Sequence, residues 1–225
     1  MSSTDRGPRA LRGEIPLTPA MIVDAAERLT AEHGLAGWTV RGLATELDCW
    51  PTVIYHHVGD RAAVHHAVAD RVVSRMPCPP EGLPWRAWFR ELLLGARPVL
   101  RAYPGVARWI ILRGPVVPSA LRILDRGVRV LRGAGFGAEA PAVYGTLLNA
   151  AVLPIMAQDD RDAETVATKT TIAQALGGYR DDERTGLAAM AEYLLTPDHA
   201  RAHYEFTVDR ALDGAESRLA ALRGL

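Results

Sequence analysis

Residues 39–61 contain the side chains best suited to recognition chemistry. Apolar residues recur at three- and four-residue spacing in the first half of this stretch, and in the second half Val53 and Ile54 can turn inward. Hydroxyl, phenol and imidazole groups then remain on the outer face, where they could contact phosphates, thymine methyls and base edges. These outward residues are Pro51, Thr52, Tyr55 and His56.

Two short helices separated by a turn would position these groups. Thr39 can cap the first helix, because its hydroxyl can accept a hydrogen bond from an amide of the first turn. Pro51 suits the first position of the second helix, since it has a fixed φ and no amide proton. Asp48 in the turn tolerates the left-handed conformation, whereas Trp50 has no oxygen with which to cap a helix. The stretch is therefore predicted to be a helix-turn-helix.

The run from Ile54 to Arg61, preceded by an amphipathic helix that ends at Gly34, resembles the DNA-binding domain of the tetracycline-repressor (TetR) family. In that family Gly is usual in the turn and Ser or Thr before the second helix, where this chain has Asp48 and Trp50. The resemblance implies an all-α fold. An N-terminal three-helix helix-turn-helix DNA-binding domain would precede a C-terminal helical ligand-binding and dimerisation domain.

The same resemblance implies which side chains meet double-stranded DNA. Arg41 could read guanine through two hydrogen bonds, although a phosphate contact suits its position equally well. A homodimer on a palindromic operator would present two recognition helices to successive major grooves, about 34 Å apart. The residues assigned to the DNA interface are Thr39, Arg41, Pro51, Thr52, Tyr55, His56, His57 and Arg61.

The composition gives no global signal for nucleic acid. The 225 residues include 26 basic and 26 acidic ones and are 48% hydrophobic, so the chain can bury a core, and DNA binding must depend on where individual arginines lie. Two cysteines are too few for a disulfide framework, and we find no secretory signal or uninterrupted apolar span of about 18 residues. Lys169 is the sole lysine, which is typical of a GC-rich genome. A cytoplasmic bacterial protein that does not interact with membranes is expected.

Breaks in the pattern predict three segments. Residues 1–16 are rich in Ser, Gly, Pro and Arg and should form a flexible N-terminal arm, either a solvated tail or an arm that reaches phosphate or the minor groove. Residues 17–76 are the predicted DNA-binding domain with its linking helix. The proline-rich run after Met76 separates it from residues 77–225, the predicted ligand-binding and dimerisation domain.

Helical spacing recurs through this C-terminal part. Pro98 and Pro154 are expected to kink the helices that contain them, and the polar run 158–164 is predicted to be a loop. Helices are predicted over residues 85–102, 106–112, 118–131, 139–157, 165–176, 184–195 and 198–222.

Aromatic and polar side chains on these helices could line a pocket for a small, mostly apolar effector. The pocket itself is implied by the resemblance, and apolar stripes of this kind also form ordinary cores. The residues assigned to ligand binding are Trp88, Trp109, Tyr144, Leu148, Asn149 and Met156.

The last helix has a wide apolar stripe, which we interpret as a self-association face. With the helix at 139–157 it would form a four-helix interface across a two-fold axis, as the resemblance implies. The alternative is that the stripe packs within its own domain. Its residues are Tyr204, Val208, Leu212, Ala215 and Leu219.

The predicted function is a ligand-responsive transcriptional repressor that a small molecule releases from its operator. The alternatives are a ligand-independent DNA-binding protein and an enzyme joined to a helix-turn-helix. No phosphate-binding Gly-rich loop, Gly-x-Ser-x-Gly or His-Glu-x-x-His is present, so we expect no catalytic residues and no enzyme activity. The histidine pairs 56–57, 65–66 and 199/203 lack a further ligand at a convincing spacing, so neither a metal nor another cofactor is expected.

Overall fold

A computed structural model of the protein describes residues 16–114, 116–164, 175 and 185–224. The regular elements in these ranges are helices, with no strand among them, so the predicted all-α fold is confirmed. Residues 1–15 of the predicted arm, and all but residue 175 of the helix predicted over 165–176, lie outside the described residues. The helices are α1 (Pro19–His33), α2 (Val40–Glu46), α3 (Pro51–His57), α4 (Arg61–Ser74), α5 (Trp85–Arg101), α6 (Val106–Arg113), α7 (Pro118–Leu131), α8 (Ala140–Ala163), α9 (Thr185–Leu195) and α10 (His199–Leu222).

The starts of the first helices follow the predicted capping signals. The Gly42 amide donates to the Thr39 hydroxyl over 3.1 Å, and α3 begins at Pro51 without any side-chain cap. The turn between these two helices places Asp48 at a φ of 48°. A side-chain cap such as that of Thr39 stabilises its helix by about 1 kcal/mol. The helix-turn-helix therefore has the local bounds that its sequence predicts.

Contacts divide the chain into two compact units. Unit 1 comprises the residues up to Cys78 together with Gly95–Arg129, and unit 2 comprises Pro79–Leu94 together with the chain from Val130 onward. Helices α5 and α7 therefore contribute residues to both units. The separate assignment of residues 17–76 to DNA binding and 77–225 to ligand binding stays a prediction.

The core of unit 1 is formed where α1 packs against α4 and the helix-turn-helix. Ile22 of α1, Leu43 of α2 and Ile54 of α3 are fully buried. A polar chain crosses this core, since the Trp38 indole donates to the Thr30 hydroxyl over 2.9 Å, and that hydroxyl donates to the carbonyl of the preceding helical turn over 2.7 Å. Buried polar atoms are costly unless they are bonded, so this chain fixes the loop between α1 and α2.

Unit 2 is centred on the packing of α8 against α10. Leu147 of α8 and Val208 of α10 are fully buried, and the hydroxyl of Tyr204 donates to the Leu93 carbonyl over 2.5 Å. Ion pairs add to this packing, as Arg90 Nε lies 3.0 Å from a carboxylate oxygen of α10. The start of α5 and most of α10 thus belong to one core.

One detail of the helix predictions was wrong. The polar run 158–164 was predicted to be a loop, but α8 continues through it to Ala163. Tertiary packing explains the difference, because Asp159 within the run is buried. Pro98 and Pro154 lie inside α5 and α8 without ending either helix, and the kinks expected at these prolines stay a prediction.

The stretch Pro118–Ala163 contains an 18-residue window that is apolar enough, by length and composition alone, to cross a membrane. The backbone leaves the helical conformation within this stretch, at Gly135 with a φ of 109°. Buried core helices pass the same test, and one side of α8 is buried against α10. We therefore interpret α8 as a core helix.

Candidate functional site

The outer face of α3 is the first candidate site. Ile54 is fully buried, which turns the opposite side of this short helix to solvent. Pro51 is half-buried at the start of the helix, and the phenol of Tyr55 is 52% exposed. The exposed members of the predicted DNA interface on α3 are Thr52, Tyr55, His56 and His57. This face presents hydroxyl and imidazole groups without an acidic side chain.

Two arginines beside this face have no carboxylate partner among the described residues. The other arginines of residues 17–76 are paired, since Arg28 lies 3.5 Å from Glu46, Arg75 lies 2.5 Å from Glu27, and Arg71 also binds carboxylates of α1. The two exceptions are Arg41 and Arg61. Their positive charge is therefore available for phosphate.

Arg61 also has a structural role that the sequence did not predict. Its Nη2 donates to the Ala36 carbonyl over 2.9 Å, and its guanidinium lies 5.8 Å from the centroid of the Trp38 ring. A guanidinium has five N–H donors, so this bond leaves others for DNA. Thr39 is similar, because its oxygen accepts the capping amide while its own proton can still be donated.

Trp50 was not among the predicted contact residues, although its position is notable. It precedes α3, its ring is 63% exposed, and it makes no side-chain capping bond. Large indole rings are usually buried for most of their area. The available sequence signal was a tryptophan at a capping position that it cannot serve.

An ion-pair network links α1, α4 and the turn between α5 and α6 within unit 1. Glu27 Oε1 accepts hydrogen bonds from Arg75 over 2.5 Å and from the Tyr103 hydroxyl over 2.7 Å. Burial alone would raise the pKa of Glu27, but these hydrogen bonds and the charges of Arg75 and Arg71 lower it. Next to the network, the Leu35 amide donates to the carbonyl of Pro104, which follows Tyr103 in the turn, over 2.8 Å. The α5–α6 turn is thus hydrogen-bonded both to Glu27 of α1 and to Leu35, which lies two residues after the end of α1.

Trp109, a predicted ligand residue, lies in unit 1 and lines two neighbouring clefts of about 580 and about 210 Å³. The smaller cleft also includes His65, whose Nε2 is buried without a hydrogen-bond partner among the described residues. Burial, together with the charges of Arg61 and Arg113, lowers the pKa of His65 to about 4. This imidazole is therefore neutral near pH 7.

The other predicted ligand residues lie in unit 2, and their assignment to one ligand site stays a prediction. Trp88 is fully buried, and its indole donates to the Pro79 carbonyl over 2.9 Å. Tyr144 packs edge-on against Phe89 with the ring centroids 5.9 Å apart. Asn149 is exposed on α8. The remaining two predicted ligand residues, Leu148 and Met156, are partly buried.

A cleft of about 390 Å³ is present elsewhere in unit 2, where the end of α8 meets α9 and the start of α10. It includes Arg161, Tyr193, His199 and His203. None of the six predicted ligand residues lines it. The four-residue spacing of the two histidines of α10 suggested either a metal pair or ordinary solvated side chains, and no group of three metal-ligating side chains occurs among the described residues.

The apolar stripe of α10 that was predicted to pair with a second copy packs against other helices of its own chain. Its residues Tyr204, Val208, Leu212 and Leu219 are buried in unit 2, and Ala215 is half-buried. This placement contradicts the assignment of the stripe to a dimer interface and matches the alternative, because α8 and the start of α5 cover it. The opposite face of α10 is exposed, with Phe206 at 61%.

Comparisons with known sequences relate the chain to one family of regulators. A sequence model described as "Tetracyclin repressor-like, C-terminal domain" matches residues 76–219. The chain is 25% identical to the HTH-type transcriptional repressor DrrR1 of Streptomyces coeruleorubidus over 237 residues, covering 98% of this chain and 85% of the relative.

Solved structures give the same result for the fold. Apo ActR from Streptomyces coelicolor superposes with a TM-score of 0.72 at 27% identity, covering 94% of this chain and all of ActR, 100%. ActR in complex with actinorhodin also gives a TM-score of 0.72 at 27% identity, covering 88% of this chain and 95% of that one.

Proposed function

The chain belongs to the tetracycline-repressor family of DNA-binding transcriptional regulators, and from this premise we propose that it represses its target genes as a homodimer on a palindromic operator until a small molecule releases it. A relative is named as a repressor, and ActR has been solved both without ligand and with actinorhodin. These relatives support regulation by a bound small molecule. The protein acts in the cytoplasm, by binding rather than by catalysis.

The observation that carries the proposal is the outer face of α3 beside two unpaired arginines. Tyr55 and its exposed neighbours form the reading surface in the major groove, and Arg41 and Arg61 contact the phosphates on either side. The chain as a whole is neutral, so these local charges supply the attraction.

Trp50 extends this interface. Its exposed indole stands at the start of α3, where an apolar ring can pack on a deoxyribose or a thymine methyl group. Such a contact explains why an indole replaces a capping hydroxyl at this position. It adds shape selection to the charge contacts of the arginines.

The homodimer forms through the exposed sides of α8 and α10. Leu153 of α8 is 42% exposed and Phe206 of α10 is 61% exposed. Small residues accompany them, and a Cβ added at Gly145 or at Gly214 would meet no atom within 4 Å. Two such helices from each copy form a four-helix interface, which brings two reading surfaces to one palindrome.

Release requires only that the effector bind more tightly to the conformation that does not fit DNA. The network of Glu27, Arg75 and Tyr103 is the element through which a movement of the α5–α6 turn reaches α1. A shift of this turn cannot leave α1 unchanged without breaking charge-assisted hydrogen bonds.

The test is selection of bound sequences from random duplex DNA by the purified protein at moderate salt. The expected result is a palindrome with half-sites about one helical turn apart. Replacing Arg41 and Tyr55 together by alanine should abolish binding to that palindrome and leave the dimer intact in sedimentation. A protein that enriches no sequence, even after unfolding and refolding to remove any copurified ligand, would refute the proposal.

A further inference from the structure

The cleft of unit 2 is the strongest feature that the DNA-binding role does not use. We propose that this cleft is the effector site and that it takes a flat aromatic molecule bearing one negative charge, such as a carboxylate. The inference rests on the proposed function for its biological meaning, since an effector requires a regulator. The binding itself follows from the residues around the cleft.

Arg161 supplies the charge that selects an anion. Pro154, Gln158 and Arg161 lie three or four residues apart on α8, so they share the face that borders the cleft. The guanidinium is exposed at the end of α8 and has no ion pair with a described residue. Its planar N–H fork matches the two oxygens of a carboxylate, which is why arginine favours such ligands.

Three aromatic rings form the wall of the cleft. The ring centroid of Tyr193 lies 6.2 Å from that of His199 and 6.1 Å from that of His203, in both cases with the rings nearly perpendicular. The Tyr193 hydroxyl is 2.8 Å from Nδ1 of His203, which holds the two side chains together. Because each ring is braced by another, a flat ligand meets a wall that is already ordered, and little entropy is lost on binding.

The rest of the cleft is apolar. Pro154 of α8, Leu194 of α9 and Ala200 of α10 contribute aliphatic surface. The hydroxyl of Tyr204 is already satisfied by the Leu93 carbonyl, so this residue adds its ring without an unmet polar group. An aromatic body therefore has apolar surface to cover.

Charge and size define the class of ligand further. Among the described residues that line the cleft, there is no Asp or Glu, so a cationic ligand would meet only Arg161 and the imidazoles. The volume of about 390 Å³ lies in the range of small-molecule sites and has room for about two or three fused rings. An aromatic carboxylate satisfies both conditions.

The test is isothermal titration of the full-length protein with three probes of one shape. These are 2-naphthoate, which is anionic, 2-naphthamide, which is neutral, and 2-naphthylmethylammonium, which is cationic. Naphthoate should bind at least about tenfold more tightly than the amide, and the ammonium should bind weakest, because a charge-assisted hydrogen bond exceeds a neutral one.

Variants locate the binding. Arg161→Gln should weaken naphthoate binding by about 10- to 100-fold and leave the amide unchanged, while Arg161→Lys keeps the charge and loses only part of the affinity. Tyr193→Leu should weaken all three probes. Arg132→Gln is the matched control, since Arg132 is exposed in unit 2 and does not line the cleft.

Equal binding of the three probes, no binding of naphthoate, or unchanged affinity in Arg161→Gln would overturn the proposal. Circular dichroism of each variant confirms that it is folded. The DNA selection separates this inference from its premise. An enriched operator without naphthoate binding leaves the regulator and removes this site, whereas naphthoate binding through Arg161 without any operator leaves the site and removes the regulator.

Discussion

Two substitutions on α10 separate its inner face from its outer face. Leu212→Ala changes a fully buried side chain that packs within unit 2. Phe206→Ala changes a side chain that is 61% exposed, with the Arg210 guanidinium 5.4 Å from the ring centroid. The first should lower the free energy of unfolding, and the second should weaken the dimer.

The magnitudes follow from burial. A buried Leu→Ala change costs about 2–5 kcal/mol of unfolding free energy. A phenylalanine buries about 200 Å² when covered, so the exposed part of Phe206 is about 120 Å², worth about 3 kcal/mol at 25 cal/mol per Å². Two copies meet in a symmetric interface, which gives an upper bound of about 6 kcal/mol. Half of that bound would still raise the dimer dissociation constant by more than about 100-fold.

Sedimentation equilibrium over a range of protein concentrations measures the dimer, and denaturant unfolding at a concentration where each variant is dimeric measures the fold. The reasoning would be refuted by a Phe206→Ala protein that dimerises as tightly as the parent. It would equally be refuted by a Leu212→Ala protein that is monomeric yet unfolds at the same denaturant concentration as the parent.

Three further predictions concern unit 1. Arg41→Ala should reduce the slope of log affinity for DNA against log salt concentration by about 1.8, since each phosphate contact contributes about 0.9 and a dimer has two. The control is Arg28→Ala, which should leave the slope unchanged because Arg28 is already paired with Glu46. Equal slopes in the parent and both variants would exclude the phosphate contact. Glu27 has a lowered pKa, so its stabilisation is present above the ordinary carboxyl pKa and is lost as pH falls through the lowered value; acid unfolding should be less pH-dependent in Glu27→Gln, and an unaltered profile would argue against the network. His65 has its pKa lowered from 6.5 to about 4, so the fold prefers the neutral ring, and stability should be full above about pH 6.5 and decline towards pH 4; a titration of this imidazole by NMR that gave a pKa near 6.5 would contradict its burial.

The helix-turn-helix was predictable because its signals are local. The Thr39 cap, the proline at the start of α3 and the positive φ of Asp48 each depend on residues only a few positions away. Local rules of this kind do not require knowledge of the rest of the fold. The resemblance to the repressor family added the expected roles of the exposed side chains, and those roles stay a prediction.

The candidate effector site was not predictable in the same way. Apolar periodicity shows that Trp88 and Tyr144 are inside, but it does not separate a packed core from the wall of a cavity. The cleft joins Arg161 to His199 and His203, residues whose types suggested only solvent or a metal. Their convergence depends on how α8, α9 and α10 pack, which no local pattern encodes.

The sequence by itself determined most of the helices, the exposed outer face of α3 and the family, because capping, periodicity and the helix-turn-helix spacing act over a few residues. The tertiary structure alone decided which face of α10 is buried and which arginines keep their charge free. Those outcomes depend on partners far away in the chain: Asp209 of α10 pairs with Arg90 of α5, and Glu27 of α1 neutralises Arg75, the residue that follows α4. A stripe of apolar residues shows that a surface must be covered, and only the folded chain shows what covers it.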